Sequence, residues 1–111
     1  MAGQLTTHVL DLALGQGAAG LAVSISRAGH LLGDASLDEG GRAVLLSGDA
    51  FTAGAYELTF KVGAYHRATG QAMADPFLDE VPVRFGVADA QVHCHVPLLV
   101  SPYGYSTYRG G

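Results

Sequence analysis

Among 111 residues there is one cysteine, Cys94, and no tryptophan. A lone thiol excludes an internal disulfide and any paired-cysteine metal or redox motif. Lysine and arginine number six against ten carboxylates, giving a formal charge of −4, and no segment gathers the basic side chains. A surface that tracks phosphates needs the opposite sign, so no nucleic-acid partner is expected. Long apolar runs are also missing: none approaches the roughly 18 residues that span a bilayer. Residues 1–15 lack a basic start followed by an apolar segment, so no membrane association or export is expected and the cytoplasm is the expected location. What is plentiful is glycine, 16 residues, about twice the usual share. The glycines stand singly between apolar-rich runs, as turns do. At 49% hydrophobic and 14% charged, the chain is expected to form one globular domain over residues 1–111, without room for a second core.

Apolar and polar residues alternate with period two at several places, and no apolar i, i+3, i+4, i+7 pattern persists, which predicts an all-β domain. In 6–14 the positions Thr6, His8, Leu10, Leu12 and Leu14 share one strand face, and Thr7, Val9, Asp11 and Ala13 the other. Residues 21–26 return as a second strand after the glycine-bearing loop 15–20. Residues 31–37 and 42–46 flank Asp38-Glu39-Gly40-Gly41, which is turn chemistry for a hairpin with Arg42 at a strand entrance. Unbroken alternation over 56–62 predicts a strand with one dry and one wet face, and 63–70, bounded by glycines, holds a turn or two of helix. Strands over 81–87, 91–100 and 103–108 complete a β-sandwich of seven or eight strands. Pro97, lacking an N–H, predicts an edge or a bulge near that point.

The densest chemistry is His93-Cys94-His95. On a strand both imidazoles project from one face, while Cys94 points with Val92 and Val96 to the other as a small core residue. Joined by a third histidine such as His8, the pair has the donors of a three-histidine zinc site with an open water position. Without metal, His8 or His95 is a candidate general base, because an imidazole titrates near neutrality. The bland alternative for either is a histidine making one ordinary hydrogen bond. Arg42 and Arg109 are candidates for holding a planar anionic or ureide-like ligand through the guanidinium fork, against a plain reading as solvated surface arginines. His30 and His66 read as loop or helix-surface residues.

Four separated stretches, Leu5-Thr6-Thr7-His8-Val9-Leu10-Asp11, Gly41-Arg42, His93-Cys94-His95-Val96-Pro97-Leu98-Leu99 and Ser101-Pro102-Tyr103-Gly104-Tyr105-Ser106-Thr107-Tyr108-Arg109-Gly110, together resemble the 5-hydroxyisourate hydrolases, the transthyretin-related enzymes of urate breakdown. Phe77-Leu78-Asp79 and Val81-Pro82-Val83-Arg84-Phe85-Gly86 are similar to that family's middle segment. The resemblance implies an all-β, transthyretin-like β-sandwich of two four-stranded antiparallel sheets with one short helix. It also implies a homotetramer, a dimer of dimers, with sites in a channel where the dimers meet. The implied reaction is hydrolytic opening of the cyclic amide ring of 5-hydroxyisourate to 2-oxo-4-hydroxy-4-carboxy-5-ureidoimidazoline, a step of purine degradation, with no metal and no cofactor. Carried onto this sequence, the catalytic positions fall on His8, Arg42 and His95, and Tyr108, Arg109, Gly110 and Gly111 form the tail that binds substrate. The histidine pair would orient and deprotonate water and Arg42 would stabilise the oxyanion, leaving open which histidine is the base.

Two positions depart from the family pattern. Its tail usually ends in serine where this chain has Gly111, and loop 16–18 lacks a common proline. A missing neutral hydrogen bond at the tail is worth about 0.5–1.5 kcal/mol, so a modest loss is expected. The rival from another class is a transthyretin-like protein that binds a small ligand without turning it over. Two imidazoles and a guanidinium on the channel wall fit that role poorly, because a carrier of aromatic ligands needs apolar walls.

Overall fold

In the computed structural model, which describes residues 3–72 and 75–110, the period-two segments become strands β1 (Gln4–Asp11), β2 (Gln16–Gly17), β3 (Ala22–Arg27), β4 (His30–Ser36), β5 (Arg42–Ser47), β6 (Gly54–Phe60), β7 (Val81–Val87), β8 (Cys94–Ser101) and β9 (Gly104–Thr107). Helix α1 (Val62–Ala68) follows β6 directly. In the first sheet β1 pairs with β8 on one side and with β5 and the two-residue β2 on the other, and β9 closes the edge beyond β8. The second sheet runs β4-β3-β6-β7. Leu5, Val9, Leu98 and Val100 from the first meet Val23, Ile25, Leu58 and Phe60 from the second in one buried core. Truncating such a side chain to alanine costs about 2–5 kcal/mol.

The all-β sandwich with one short α-helix therefore matches the expectation, while the first sheet has five strands where four were implied, β2 adding a two-residue strand, and three further details differ. First, one pair is not antiparallel: β1 and β8 run parallel, from Leu5 opposite Cys94 to Asp11 opposite Val100. No tight turn joins these two strands, so nothing local dictates their direction. Second, β4 and β5 do not form a hairpin, because β4 pairs with β3 and β5 with β1, in different sheets. The turn chemistry of 38–41 is nevertheless present. Asp38 Oδ1 accepts from the backbone N–H groups of Gly40 and Arg42, both at 2.9 Å, and Gly41 takes φ +78°. Turn residues specify a local reversal, whereas burial of apolar faces decides which sheet the next strand joins.

Third, β1 stops at Asp11 instead of running to Leu14. Asp11 Oδ1 accepts from the N–H groups of Ala13 and Leu14, both at 2.9 Å, so the side chain offers the backbone an alternative to the ladder. Its other oxygen accepts from Tyr65 Oη at 2.7 Å and Gln71 Nε2 at 2.8 Å, tying α1 and the segment after it to the sheet. Burial opposes ionisation of Asp11, but these four donors outweigh it and hold the carboxyl below its ordinary value. A carboxyl depressed in the folded state contributes stability above its unfolded value, near pH 4, and loses it as pH falls through the folded value. Asp11→Asn is expected to cost about 1–3 kcal/mol at pH 7. Its deficit against the wild type should shrink below about pH 4, as read by urea unfolding across pH.

Pro97 sits on an interior strand, not an edge. Its carbonyl faces β9, since Thr107 Oγ1 donates to Pro97 O at 2.7 Å. There the ladder breaks between Leu98–Thr107 and the single bridge His95–Gly110, so the missing N–H falls opposite a gap. His66 corrects a second expectation: it is fully buried in α1, not on the helix surface. Burial pushes its imidazole down against the opposing pull of Asp11, which keeps the ring uncharged.

Candidate active site

The odd positions of β1, Leu5, Thr7, Val9 and Asp11, are buried between the sheets, which leaves Thr6 and His8 on the outer face of the first sheet. Strand register then brings the remaining candidates to them. Arg42, the first residue of β5, pairs with His8, and His95 on β8 pairs with Thr6. Cys94 and Val96, on either side of His95, point into the core as expected, and burial pushes the Cys94 thiol up. His93 precedes β8 in a turn, where Asp89 Oδ1 accepts from the Gln91 N–H and Asp89 O from the Val92 N–H, so the strand is shorter than residues 91–100. His93 still shares the face of His95, with ring centroids 6.5 Å apart and planes at 23°.

Hydrogen bonds fix the rings. His8 Nε2 lies 3.0 Å from Gly40 O; a carbonyl only accepts, so this nitrogen carries the proton. Gly40 is held in place by the Asp38 turn and by the close approach of Gly41 to β1, where a Cβ would fall 2.6 Å from Val9 O. Thr6 Oγ1 lies 2.8 Å from His95 Nδ1 and 3.0 Å from His93 Nε2. His95 is half-buried, and burial together with the charges of His93, His8 and Arg42 lowers its pKa below the ordinary imidazole value. The ring is therefore neutral at pH 7 with Nε2 outside the Thr6 contact. Arg42 is exposed, and its guanidinium makes no hydrogen bond or ion pair among the described residues. The result, among the described residues, is a cationic group available to an anion or oxyanion beside two oriented imidazoles.

The tail divides. Gly110 bridges to His95, its N–H donating to His95 O at 2.8 Å, and its Cα lies so close to the ring that a Cβ would meet His95 Cδ2 at 2.6 Å. Arg109, one residue earlier, borders a groove with Val83, Phe85, Cys94 and Val96 at the β7 and β9 edges, away from the His95 ring. Tyr108 borders the same groove and is exposed. Gly111 lies outside the described residues. Among the described residues no group of three or more His, Cys, Asp or Glu side chains is arranged to hold a metal ion. His8 Nε2 is taken by Gly40 O, and His95 Nδ1 and His93 Nε2 by Thr6 Oγ1, each ring keeping its other nitrogen outside these contacts. Sequence reasoning assigned no role to Thr6, gave His93 one only as a zinc ligand, and gave Gly40 one only in the turn. The signal for Thr6 was its place two residues from His8 on the same strand face.

The chain matches the HIUase/Transthyretin family over residues 5–110. It is 54% identical to a 5-hydroxyisourate hydrolase of Mesorhizobium japonicum over 97% of this chain and 92% of that protein. Among solved structures it is similar to the Klebsiella pneumoniae 5-hydroxyisourate hydrolase, with a TM-score of 0.87 and 34% identity over 98% of this chain and 99% of that one. It is also similar to sea bream transthyretin in complex with thyroxine, with a TM-score of 0.86 and 26% identity over 96% of this chain and 94% of that one.

Proposed function

The chain belongs to the HIUase/Transthyretin family, and we propose from this that it hydrolyses 5-hydroxyisourate on the outer face of its first sheet. The observation that carries the reading is one polar face on which a half-buried, oriented and neutral His95 stands beside His8 and the Arg42 guanidinium, which has no partner among the described residues. In the reaction, His95 Nε2 takes a proton from water as its oxygen bonds to the ring carbonyl carbon. Arg42 stabilises the negative charge that develops on the carbonyl oxygen. The carbon–nitrogen bond then breaks, and the proton held by His95 passes to the departing ring nitrogen, so the elements of water end on the new carboxylate and the ureido nitrogen. His8, its Nε2 committed to Gly40 O, orients the substrate or the water from across the strand pair.

The base role falls to His95, whose half-burial and neighbouring charges favour the neutral ring and whose Nδ1 is engaged by Thr6, leaving Nε2 for water. Gly110 packs on the His95 ring, so Gly110→Ala is expected to displace it and lower turnover about ten- to a hundredfold, a cost typical of misplacing a catalytic group. The face is open to solvent in a single chain, whereas strong electrostatic stabilisation needs water excluded. A second copy laid over it would supply that, which supports a homotetramer. The unpaired edges β7 and β9, with an apolar groove between them lined by Val83, Phe85 and Val96, are suited to the other contact of a dimer of dimers. The described helix is also too short to cross a membrane.

Turnover tests the reading. Substrate formed in place from urate should decay faster than the uncatalysed background at a hundredth of its concentration in protein, with activity falling on dilution as sedimentation shows dissociation. A carrier would alter the decay only near equimolar protein, and that result would replace the hydrolase by the binding protein.

A further inference from the structure

Thr6 carries a single hydroxyl proton, yet its oxygen lies within hydrogen-bond distance of two imidazoles, 2.8 Å from His95 Nδ1 and 3.0 Å from His93 Nε2. We infer that Thr6, backed by His93, is a positioning residue that selects the protonation state and aim of the His95 ring. The inference rests on the proposed role of His95 as base. A neutral imidazole has one N–H and one lone pair, so whichever nitrogen meets Thr6 decides what the other can do. If Thr6 donates to Nδ1, the proton of His95 sits on Nε2 and the ring cannot accept one there. If Thr6 accepts from Nδ1–H, Nε2 presents its lone pair to water.

His93 biases this choice. A hydroxyl proton directed at His93 Nε2 leaves the Thr6 oxygen as an acceptor toward His95, and the near-parallel rings hold both contacts together. The chain Nδ1–H to Oγ1–H to Nε2 also runs in the sense that stabilises the imidazolium formed when His95 takes the water proton. Main-chain geometry supports the arrangement from both sides. Thr6 is paired with His95 across the parallel β1–β8 ladder, and Thr7 beside it donates to Val96 O at 2.7 Å in the core, so the two strands cannot slide relative to each other without losing buried contacts.

The test compares Thr6→Val, Thr6→Ser and His93→Ala, singly and with Thr6→Val combined with His93→Ala, by kcat, KM and pH profile. Thr6→Val keeps shape and removes the hydroxyl. It should lower kcat at least tenfold with KM within about threefold, and move the acid limb of kcat/KM to lower pH, because the imidazolium loses its acceptor. Thr6→Ser should restore kcat to within about threefold of the wild type. His93→Ala should lower kcat less, and the double variant should be no worse than Thr6→Val alone, since one hydrogen-bond chain is broken either way. Additive losses, or Thr6→Val with unchanged kcat and acid limb while His95→Ala is inactive, would overturn the inference and leave the site intact. An active His95→Ala would instead overturn the reading of His95 on which it rests.

Discussion

His95→Ala is expected to lower kcat/KM for 5-hydroxyisourate by at least about a hundredfold, and up to about ten-thousandfold, the range that a positioned general base contributes. The loss should lie in kcat, because the base acts on water in the transition state and contributes little to ground-state binding. The fold should survive: the ring stands on the outer face of the sheet, half-buried, and the core is built from its neighbours Cys94 and Val96. Added imidazole should recover part of the lost rate in the variant, a result that a purely packing role for His95 does not produce. In the wild type, burial and the nearby His93, His8 and Arg42 all disfavour charging of the ring. Activity should therefore persist below pH 6.5, the ordinary imidazole value, and fall only at lower pH as His95 protonates.

Arg42→Ala is expected to lower kcat about a hundred- to a thousandfold, the usual cost of removing a donor to a developing oxyanion. Arg42 opens β5 opposite His8 and its backbone is pinned by the Asp38 carboxylate, yet its guanidinium has no partner of its own among the described residues. A cation without an internal partner adds nothing through an ion pair, so the variant should keep its thermal midpoint while losing turnover. Arg42→Lys retains the charge but not the planar fork, and should recover only part of the rate. A large fall in stability with Arg42→Ala, or turnover near that of the wild type, would remove the guanidinium from the mechanism.

How much of this was legible in the sequence depends on the range of the interaction that decides each feature. The alternation of Thr6 and His8 against Leu5, Thr7 and Val9 is local, and it correctly assigned faces in β1. The short helix bounded by glycines was legible for the same reason. The parallel pairing of β1 with β8, and the separation of β4 from β5, depend on contacts between distant segments that leave no local mark. The end of β1 shows a polar side chain overriding periodicity, since Leu12 and Leu14 continue the apolar pattern while Asp11 turns the backbone. The grouping of His8, Arg42 and His95 came from family resemblance. The contacts that aim their rings, Gly40 O on His8 and Thr6 Oγ1 on His95, required coordinates, because hydrogen-bond geometry is a property of register and not of spacing.

The most direct test follows the decay of 5-hydroxyisourate absorbance, with substrate generated in place by urate oxidase, for chelator-treated wild-type protein beside folded His95→Ala. Fast decay by the chelated wild type, lost in the variant, is the result expected of a hydrolytic face that works through His95 without a metal ion. Decay at the uncatalysed rate by the wild type, or equally fast decay by both proteins, would contradict it.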